Sequence, residues 1–208
     1  CEFIETIYWN AANATINSSA FTNAGKSVSK GVEVTIGPNV TSVQSYLFSN
    51  VSSVTKISFA SNGSLTKIDS YAFQNARISE LTIPETVTTI NESAFQNCVN
   101  LTSIDIPETV TSISSSAFGG CTSLQSIFWN ATNSTQNVKI FDGSGAKNGL
   151  TVTLGENVTQ IPAYFTYGAK VTELVIPEKT SLESIGDYAF AGAQFTEFTI
   201  PDTITSIG

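Results

Sequence analysis

The chain has 208 residues with a net charge of −8, only 12% charged residues and no histidine. Its acidic balance argues against nucleic-acid binding, because proteins that bind phosphate backbones need clustered lysine and arginine. The lack of histidine excludes His-based acid–base and nucleophilic sites and most transition-metal sites. No apolar run reaches the roughly 18 residues of a membrane-spanning helix. We therefore expect no catalytic centre of these kinds, no resident metal and no cofactor.

The sequence repeats itself in the centre of the chain. Residues 78–98 carry the pattern Ile-x-x-Leu-x-Ile-Pro followed by an Ala-Phe-x-x-Cys element, and residues 101–121 return it as Leu-x-x-Ile-x-Ile-Pro with the same ending. Each landmark advances by 23 positions, from 78 to 101 and from 98 to 121. A fixed period of this size with apolar residues at L-x-x-L-x-L spacing is typical of leucine-rich-repeat solenoids. Each repeat, here called a rung, then contacts only its neighbours in a stack.

The same template extends along the whole chain with small insertions. It predicts nine rungs around one continuous core, each with a short strand whose apolar residues point inward and alternate with outward residues. The central strand residues of the predicted rungs are, in chain order, Ile7, Val34, Ile57, Leu81, Ile104, Ile127, Val152, Leu174 and Phe198.

Two further columns of the repeat predict what fills the core. Eight of the 13 phenylalanines share one position, which predicts a buried aromatic spine: Phe21, Phe48, Phe73, Phe95, Phe118, Phe141, Phe165 and Phe190. Cys1, Cys98 and Cys121 share another, which other rungs fill with Ala24, Val51, Ala76, Ser144, Gly168 and Ala193. A position that also accepts alanine and glycine is a small buried slot, so we interpret the cysteines as packing residues. A disulfide between Cys98 and Cys121 is the alternative, because their rungs are adjacent.

A longer repeat is superimposed on the short one. The segment Ile-Tyr-Trp-Asn-Ala at 7–11 returns 120 positions later as Ile-Phe-Trp-Asn-Ala at 127–131. We predict a single solenoid over residues 1–208, made of two superimposed blocks at about 1–120 and 121–208. In the first rung of each block a polar loop, residues 10–20 and 130–140, replaces the Ile-Pro element. Because the chain begins and stops inside repeats without polar caps, we expect a fragment that is truncated at both ends.

Residues 101–113 (Leu-Thr-Ser-Ile-Asp-Ile-Pro-Glu-Thr-Val-Thr-Ser-Ile) and 116–124 (Ser-Ala-Phe-Gly-Gly-Cys-Thr-Ser-Leu) resemble the BspA-like class of leucine-rich repeats. The resemblance covers essentially the whole chain and is strongest in the two central rungs. It implies an α/β solenoid, a right-handed array of parallel strands with short helical or irregular turns. It also implies secreted or surface-attached proteins of bacteria and some protists that act in adhesion and host interaction. The family brings no catalytic residues, so the resemblance implies that the chain is not an enzyme.

The outward strand positions form the candidate binding surface, which is threonine-rich and acidic with one basic residue. Its candidate residues are Tyr8, Glu33, Lys56, Glu80, Thr82, Asp105, Phe128, Glu173 and Glu197. Tyr8 and Phe128 stand out because their column is otherwise small or polar, and exposed aromatics are favoured anchors of protein interfaces. The alternative is that the dipeptides 8–9 and 128–129 only cover the core where the Ile-Pro element is missing, since large aromatics bury much area.

Three functional hypotheses remain open from the sequence. We predict an extracellular or cell-surface module for protein binding and adhesion, whose partners are host or extracellular-matrix proteins or glycans and not nucleic acid. The alternative is a structural spacer that projects another domain from a surface and has no ligand of its own. A third hypothesis, a polysaccharide-active enzyme, needs a pair of carboxylates in a cleft.

Overall fold

The computed structural model describes residues 2–12, 14, 20, 21, 23–132 and 138–208. Cys1 and parts of the two predicted polar loops lie outside the described residues. One set of strands, the front strands, comprises β1 (Thr6–Trp9), β2 (Val32–Ile36), β4 (Val54–Phe59), β7 (Ser103–Ile106), β9 (Ser126–Trp129), β10 (Leu150–Leu154) and β12 (Val171–Val175). The two-residue second strands are β3 (Ser42–Val43), β5 (Lys67–Ile68), β6 (Thr89–Ile90), β8 (Ser112–Ile113), β11 (Gln160–Ile161), β13 (Ser184–Ile185) and β14 (Ser206–Ile207).

Every strand pair is parallel, and each strand pairs with its counterpart in a neighbouring rung. The front strands form sheets in the orders β1-β2-β4 and β7-β9-β10-β12, and the second strands form β3-β5-β6-β8 and β11-β13-β14. Apolar inward residues of both sets join one hydrophobic core. Parallel neighbours one repeat apart are what stacked repeats produce, so the predicted parallel-strand solenoid is confirmed.

The α/β label and the predicted helical turns are only approximate, because no helix forms among the described residues. The turns contain residues with positive φ at matching positions of successive rungs, such as Tyr71 (61°), Ser93 (53°) and Ser116 (55°). A residue in the left-handed region cannot continue a right-handed helix. The connections are therefore irregular, tight turns.

The number of rungs is also slightly lower than predicted. Eight rungs carry a strand or a strand bridge on the front face, the fourth through the bridge between Thr82 and Asp105. The ninth predicted rung, around Phe198, forms no front strand, although its second strand β14 pairs with β13. Its phenylalanine ring instead lies 6.2 Å from the ring of Phe190 and 5.8 Å from the ring of Phe195.

A stack of phenylalanine rings runs through the core, as the repeat predicts. From Phe48 to Phe141 the rings are fully buried, and successive centroids in this stack lie 5.3 to 5.6 Å apart in near-parallel planes. Offset stacking at this spacing is a favoured geometry of aromatic pairs. The aromatic column is therefore a structural spine and supplies no separate binding sites.

The assignment of Phe165 to this spine is wrong by one residue. The N–H of Thr166 donates to the carbonyl of Ala189 (2.8 Å), as the N–H of Phe95 donates to that of Ala117 (2.8 Å), so Thr166 holds the backbone position of the spine. Phe165 takes the preceding position, and its ring is perpendicular to that of Phe141 (88°). Alignment by residue type produced this error, although the interval from Ile161 to Thr166 equals that from Ile90 to Phe95.

The same shift corrects the small-slot column in this rung. Gly168 is exposed with a φ of 75°, and the buried slot is filled by the next residue, Ala169. The prediction that Gly168 occupies the cysteine column is therefore wrong.

Cys98 and Cys121 are buried free thiols, so the disulfide alternative is wrong for this pair. Their Sγ atoms lie 3.5 Å from the carbonyl oxygen of Phe73 and 3.4 Å from that of Phe95, each in the preceding rung. Ser144 makes the same contact at 2.7 Å with Phe118. Burial raises the pKa of the Cys98 thiol well above its usual value and that of Cys121 to about 12. Thiols of this kind are unreactive, which supports a packing role.

Candidate functional site

All nine predicted site residues are exposed. In the front strands this follows because outward residues alternate with inward core residues, whereas Glu197 lies in the ninth rung, which has no front strand. The pairing brings Glu33 beside Lys56 and places Thr82, Asp105 and Phe128 in consecutive rungs. It does not bring the two aromatic candidates together. Tyr8 and Phe128 are five rungs apart, which is at least about 24 Å at a strand spacing of about 4.8 Å.

The polar residues of the front face make few contacts with one another. Lys56 Nζ lies 3.8 Å from Glu33 Oε1, and both side chains are more than half exposed. An ion pair this exposed contributes little to stability. Thr151 donates a hydrogen bond of 2.9 Å to Glu173 Oε2. The face is therefore acidic, and among the described residues its carboxylates at Glu80, Asp105 and Glu197 form neither an ion pair nor a side-chain hydrogen bond.

The two aromatic dipeptides divide between the core and the surface. Trp129 is fully buried, with its ring centroid 4.7 Å from that of Phe165, and Trp9 is partly buried against the core. By contrast, Tyr8 is 64% exposed and Phe128 is 40% exposed. The covering role considered for the dipeptides thus applies to the tryptophans and does not account for Tyr8 and Phe128.

An asparagine and a glycine fix each Trp-Asn-Ala segment against the next rung, a feature that the sequence interpretation missed. A Cβ on Gly37 would lie 2.4 Å from Asn10 Oδ1, and one on Gly155 would lie 2.0 Å from Asn130 Oδ1. Only glycine leaves room for the asparagine side chain here. The signal was present in the sequence, because both rungs that follow a Trp-Asn-Ala segment replace Ile-Pro by Ile-Gly or Leu-Gly.

The front face is interrupted between β4 and residues 80–83. β4 pairs backward with β2, and residue 82 bridges forward to Asp105, but no strand pairing joins β4 to residues 80–83 among the described residues. A groove of about 580 Å³ lies between them, lined by residues 56–61, Gly63 and residues 80–86. This break is not predictable from the sequence, because Leu81 occupies the same repeat position as Ile104.

A polar cluster around Asp69 joins three rungs away from the front face. Its carboxylate accepts hydrogen bonds from Ser42 (2.5 Å) and Asn91 (2.9 Å) and lies 2.8 Å from Lys67 Nζ. Partial burial raises the pKa of Asp69, but the hydrogen bonds and the charge of Lys67 outweigh it, so the pKa lies below its ordinary value of 3.8. The cluster has the contacts of a structural tie between rungs.

We expect this tie to make stability depend on pH in the acid range. Since the folded pKa of Asp69 is below the unfolded one, its contribution is present above the unfolded value and is lost as pH falls through the folded value. The difference in unfolding midpoint between the wild type and Asp69→Asn should be greatest above about pH 4 and shrink towards lower pH, measured by circular dichroism. Asp105→Asn, an exposed front-face control, should show a smaller difference. Equal pH profiles for the two variants would contradict the assignment.

Neither a metal centre nor a membrane span is evident in the described part of the chain. No three histidine, cysteine, aspartate or glutamate side chains among the described residues are grouped to hold a metal ion. Within the same residues, no helix has the length and apolar character needed to cross a membrane.

Comparison with a solved structure supports the fold. A leucine-rich repeat protein from Eubacterium ventriosum superposes with a TM-score of 0.55 at 20% identity, over 84% of this chain and 56% of that one. A leucine rich cell surface protein from Faecalibacterium prausnitzii aligns with a TM-score of 0.37 at 18% identity, over 91% of this chain and 61% of that one. The chain therefore spans little more than half of the Eubacterium protein. No curated protein sequence matches it.

The sequence itself matches a known repeat. The BspA type leucine rich repeat region is found in six copies that cover residues 14–148 and 159–208. These ranges include most of the chain, and the parallel solenoid agrees with them. Leucine-rich-repeat solenoids of this type are generally not enzymes. The chain belongs to the BspA-type leucine-rich-repeat family, a family of surface proteins.

Proposed function

We propose that this chain is an extracellular or cell-surface binding module that holds host or extracellular-matrix proteins or glycans against its front face. The observation that carries the proposal is the exposure of Tyr8 (64%) and Phe128 (40%) on a face whose other candidate residues are polar or charged. Membership of a surface-protein family supports the location.

The placement of Tyr8 and Phe128 within strands favours a role in binding. Tyr8 and Phe128 lie within strands β1 and β9, each directly before a tryptophan that packs into the core. A side chain on a fixed strand loses little further freedom when a partner binds, so more of its contact energy is retained as affinity. Anchors at least about 24 Å apart suit a large or extended ligand.

The charge of the face also favours one kind of partner surface. Five of the nine candidate residues are carboxylates, namely Glu33, Glu80, Asp105, Glu173 and Glu197. An acidic face attracts a basic partner and repels an acidic one, and this affects association rate and specificity more than affinity. We therefore expect basic protein surfaces or neutral glycans to bind better than acidic ones.

The test replaces each aromatic by the residue that its neighbouring rung carries. Tyr8 pairs with Thr35 and Phe128 with Thr153, so the variant Tyr8→Thr/Phe128→Thr fits the same backbone. Binding to immobilised matrix proteins and to a glycan panel should weaken at least tenfold, the loss expected for interface anchors worth about 2 kcal/mol or more. The unfolding midpoint should stay close to that of the wild type.

The control and the opposing outcomes are defined by the same assay. The control variant Tyr46→Ser removes an exposed tyrosine outside the front strands. Serine suits this position because Ser93 and Ser116 occupy it in other rungs with similar φ angles. This variant should retain binding. Binding that survives the double replacement would reject the aromatic anchors. If the wild type binds no probe, the spacer hypothesis is favoured, and release of products from the glycan panel would favour the enzyme.

A further inference from the structure

The break in the front face is confined to the front strands. Across the same two rungs the second strands β5 and β6 remain paired, and the rings of Phe73 and Phe95 stay 5.4 Å apart. The rungs are therefore in register at the core and separate only at the front. This opening leaves two strand edges that face each other without pairing, which is unusual because proteins normally cover or disrupt free edges.

Main-chain groups that have no strand partner among the described residues point into the groove from both walls. The N–H of Ala60 donates to the carbonyl of Ile36 (2.9 Å), so the main-chain groups of the even-numbered residues of β4 face β2. The N–H and C=O groups of Ile57 and Phe59 therefore face the groove. On the other wall the N–H of Thr102 donates to the carbonyl of Ser79 (3.2 Å). The main-chain groups of the odd-numbered residues therefore face β7, and the main-chain N–H and C=O groups of Glu80 and Thr82 face the groove. The groove thus offers the hydrogen-bonding pattern of a strand.

The floor and rim add side-chain recognition. The central core residues beside the groove, Ile57 (6%) and Leu81 (7%), are more exposed than Ile104 (1%) in an intact part of the face. Glu80, Glu85 and Lys56 line the groove. Lys56 Nζ lies 3.8 Å from Glu33, whereas neither Glu80 nor Glu85 forms an ion pair within the described residues. The groove thus has an apolar floor between two strand edges and carboxylates without ion-pair partners above it. These features suit a peptide whose side chains alternate between apolar and basic.

We propose that this groove binds an extended peptide segment of a partner protein, which adds as a strand to the edge of β4. Main-chain hydrogen bonds would supply affinity, and alternate side chains would supply specificity. Its apolar side chains would contact Ile57 and Leu81, and its basic side chains would face Glu80 and Glu85. This inference rests on the proposed binding function and names a partner class for a second part of the front face.

The first test uses a capped hexapeptide of alternating lysine and valine as the probe. Amide shifts in the nuclear magnetic resonance spectrum of the whole chain should concentrate in residues 56–60 and 80–86 when this peptide is added. The same peptide with N-methylated backbone amides should bind at least tenfold more weakly, because it lacks strand donors. A peptide of alternating glutamate and valine should also bind more weakly. No binding, or equal binding of the N-methylated peptide, would overturn the proposal.

The second test uses a matched pair of surface variants. Glu85 and Glu108 follow the prolines of consecutive rungs and are both exposed, but only Glu85 lines the groove. Glu85→Lys should weaken binding of the lysine–valine peptide about tenfold, and Glu108→Lys should leave it unchanged, with both proteins folded by circular dichroism. Equal effects would show general electrostatics and overturn the site.

The Tyr8→Thr/Phe128→Thr protein separates the two proposals. It should bind the lysine–valine peptide as the wild type does, because neither aromatic lines the groove. Retained matrix or glycan binding in that protein would reject the aromatic anchors and leave the groove standing. Loss of peptide binding in it would instead contradict the groove as the peptide site.

Discussion

Phe118→Ala should lower the free energy of unfolding by about 3–5 kcal/mol, the usual range for a buried phenylalanine. The ring is fully buried between those of Phe95 (5.3 Å) and Phe141 (5.6 Å). Parallel strand ladders hold the rungs on either side at fixed spacing, so the surrounding structure has little freedom to close the resulting cavity. Denaturant unfolding followed by circular dichroism would measure the loss.

The position of Phe118 in the array defines its controls. Phe128→Ala removes a ring that is 40% exposed and should cost much less, within about 1 kcal/mol. Phe190→Ala should fall between the two, because Phe190 is only partly buried. If the exposed and buried phenylalanines gave equal losses, the stacked rings would not be the main source of stability.

Trp129→Ala should also cost about 3–5 kcal/mol, whereas Trp129→Phe should cost less than half of that. Trp129 is fully buried, and its centroid lies 4.7 Å from Phe165 and 6.4 Å from Phe141. Its indole Nε1 is buried without a hydrogen-bond partner among the described residues. A buried, unpaired N–H costs about 1–3 kcal/mol, so phenylalanine removes a penalty together with some of the packing.

The measurement is the denaturation midpoint of both variants, followed by circular dichroism because tryptophan fluorescence changes with the substitution itself. Trp9→Phe is the control. Trp9 also has a buried Nε1 with no hydrogen-bond partner in the described part of the chain, but its side chain is only partly covered. It should therefore lose less packing than Trp129. A Trp129→Phe protein as unstable as Trp129→Ala would contradict the role given to the unpaired N–H.

The sequence predicted the features that recur with the period of the chain. The outward partners Glu33–Lys56 and Asp105–Phe128 lie in neighbouring rungs as expected, because strand alternation and the repeat length together set which residues face outward. Residue type was a poorer guide than backbone position. Phe165 was aligned with other phenylalanines although Thr166 holds their place, and left-handed residues such as Tyr71 were not recognisable because they are not glycines.

By itself, the sequence determined the parallel solenoid, its register, its phenylalanine spine and the exposure of the candidate face, because these follow from local spacing repeated many times. Only the tertiary structure decided where adjacent rungs fail to meet. Leu81 and Ile104 carry the same pattern, yet only the rung of Leu81 leaves an open groove beside β4. Pairing between rungs depends on many main-chain hydrogen bonds of about 1 kcal/mol each, and no single residue type fixes their balance.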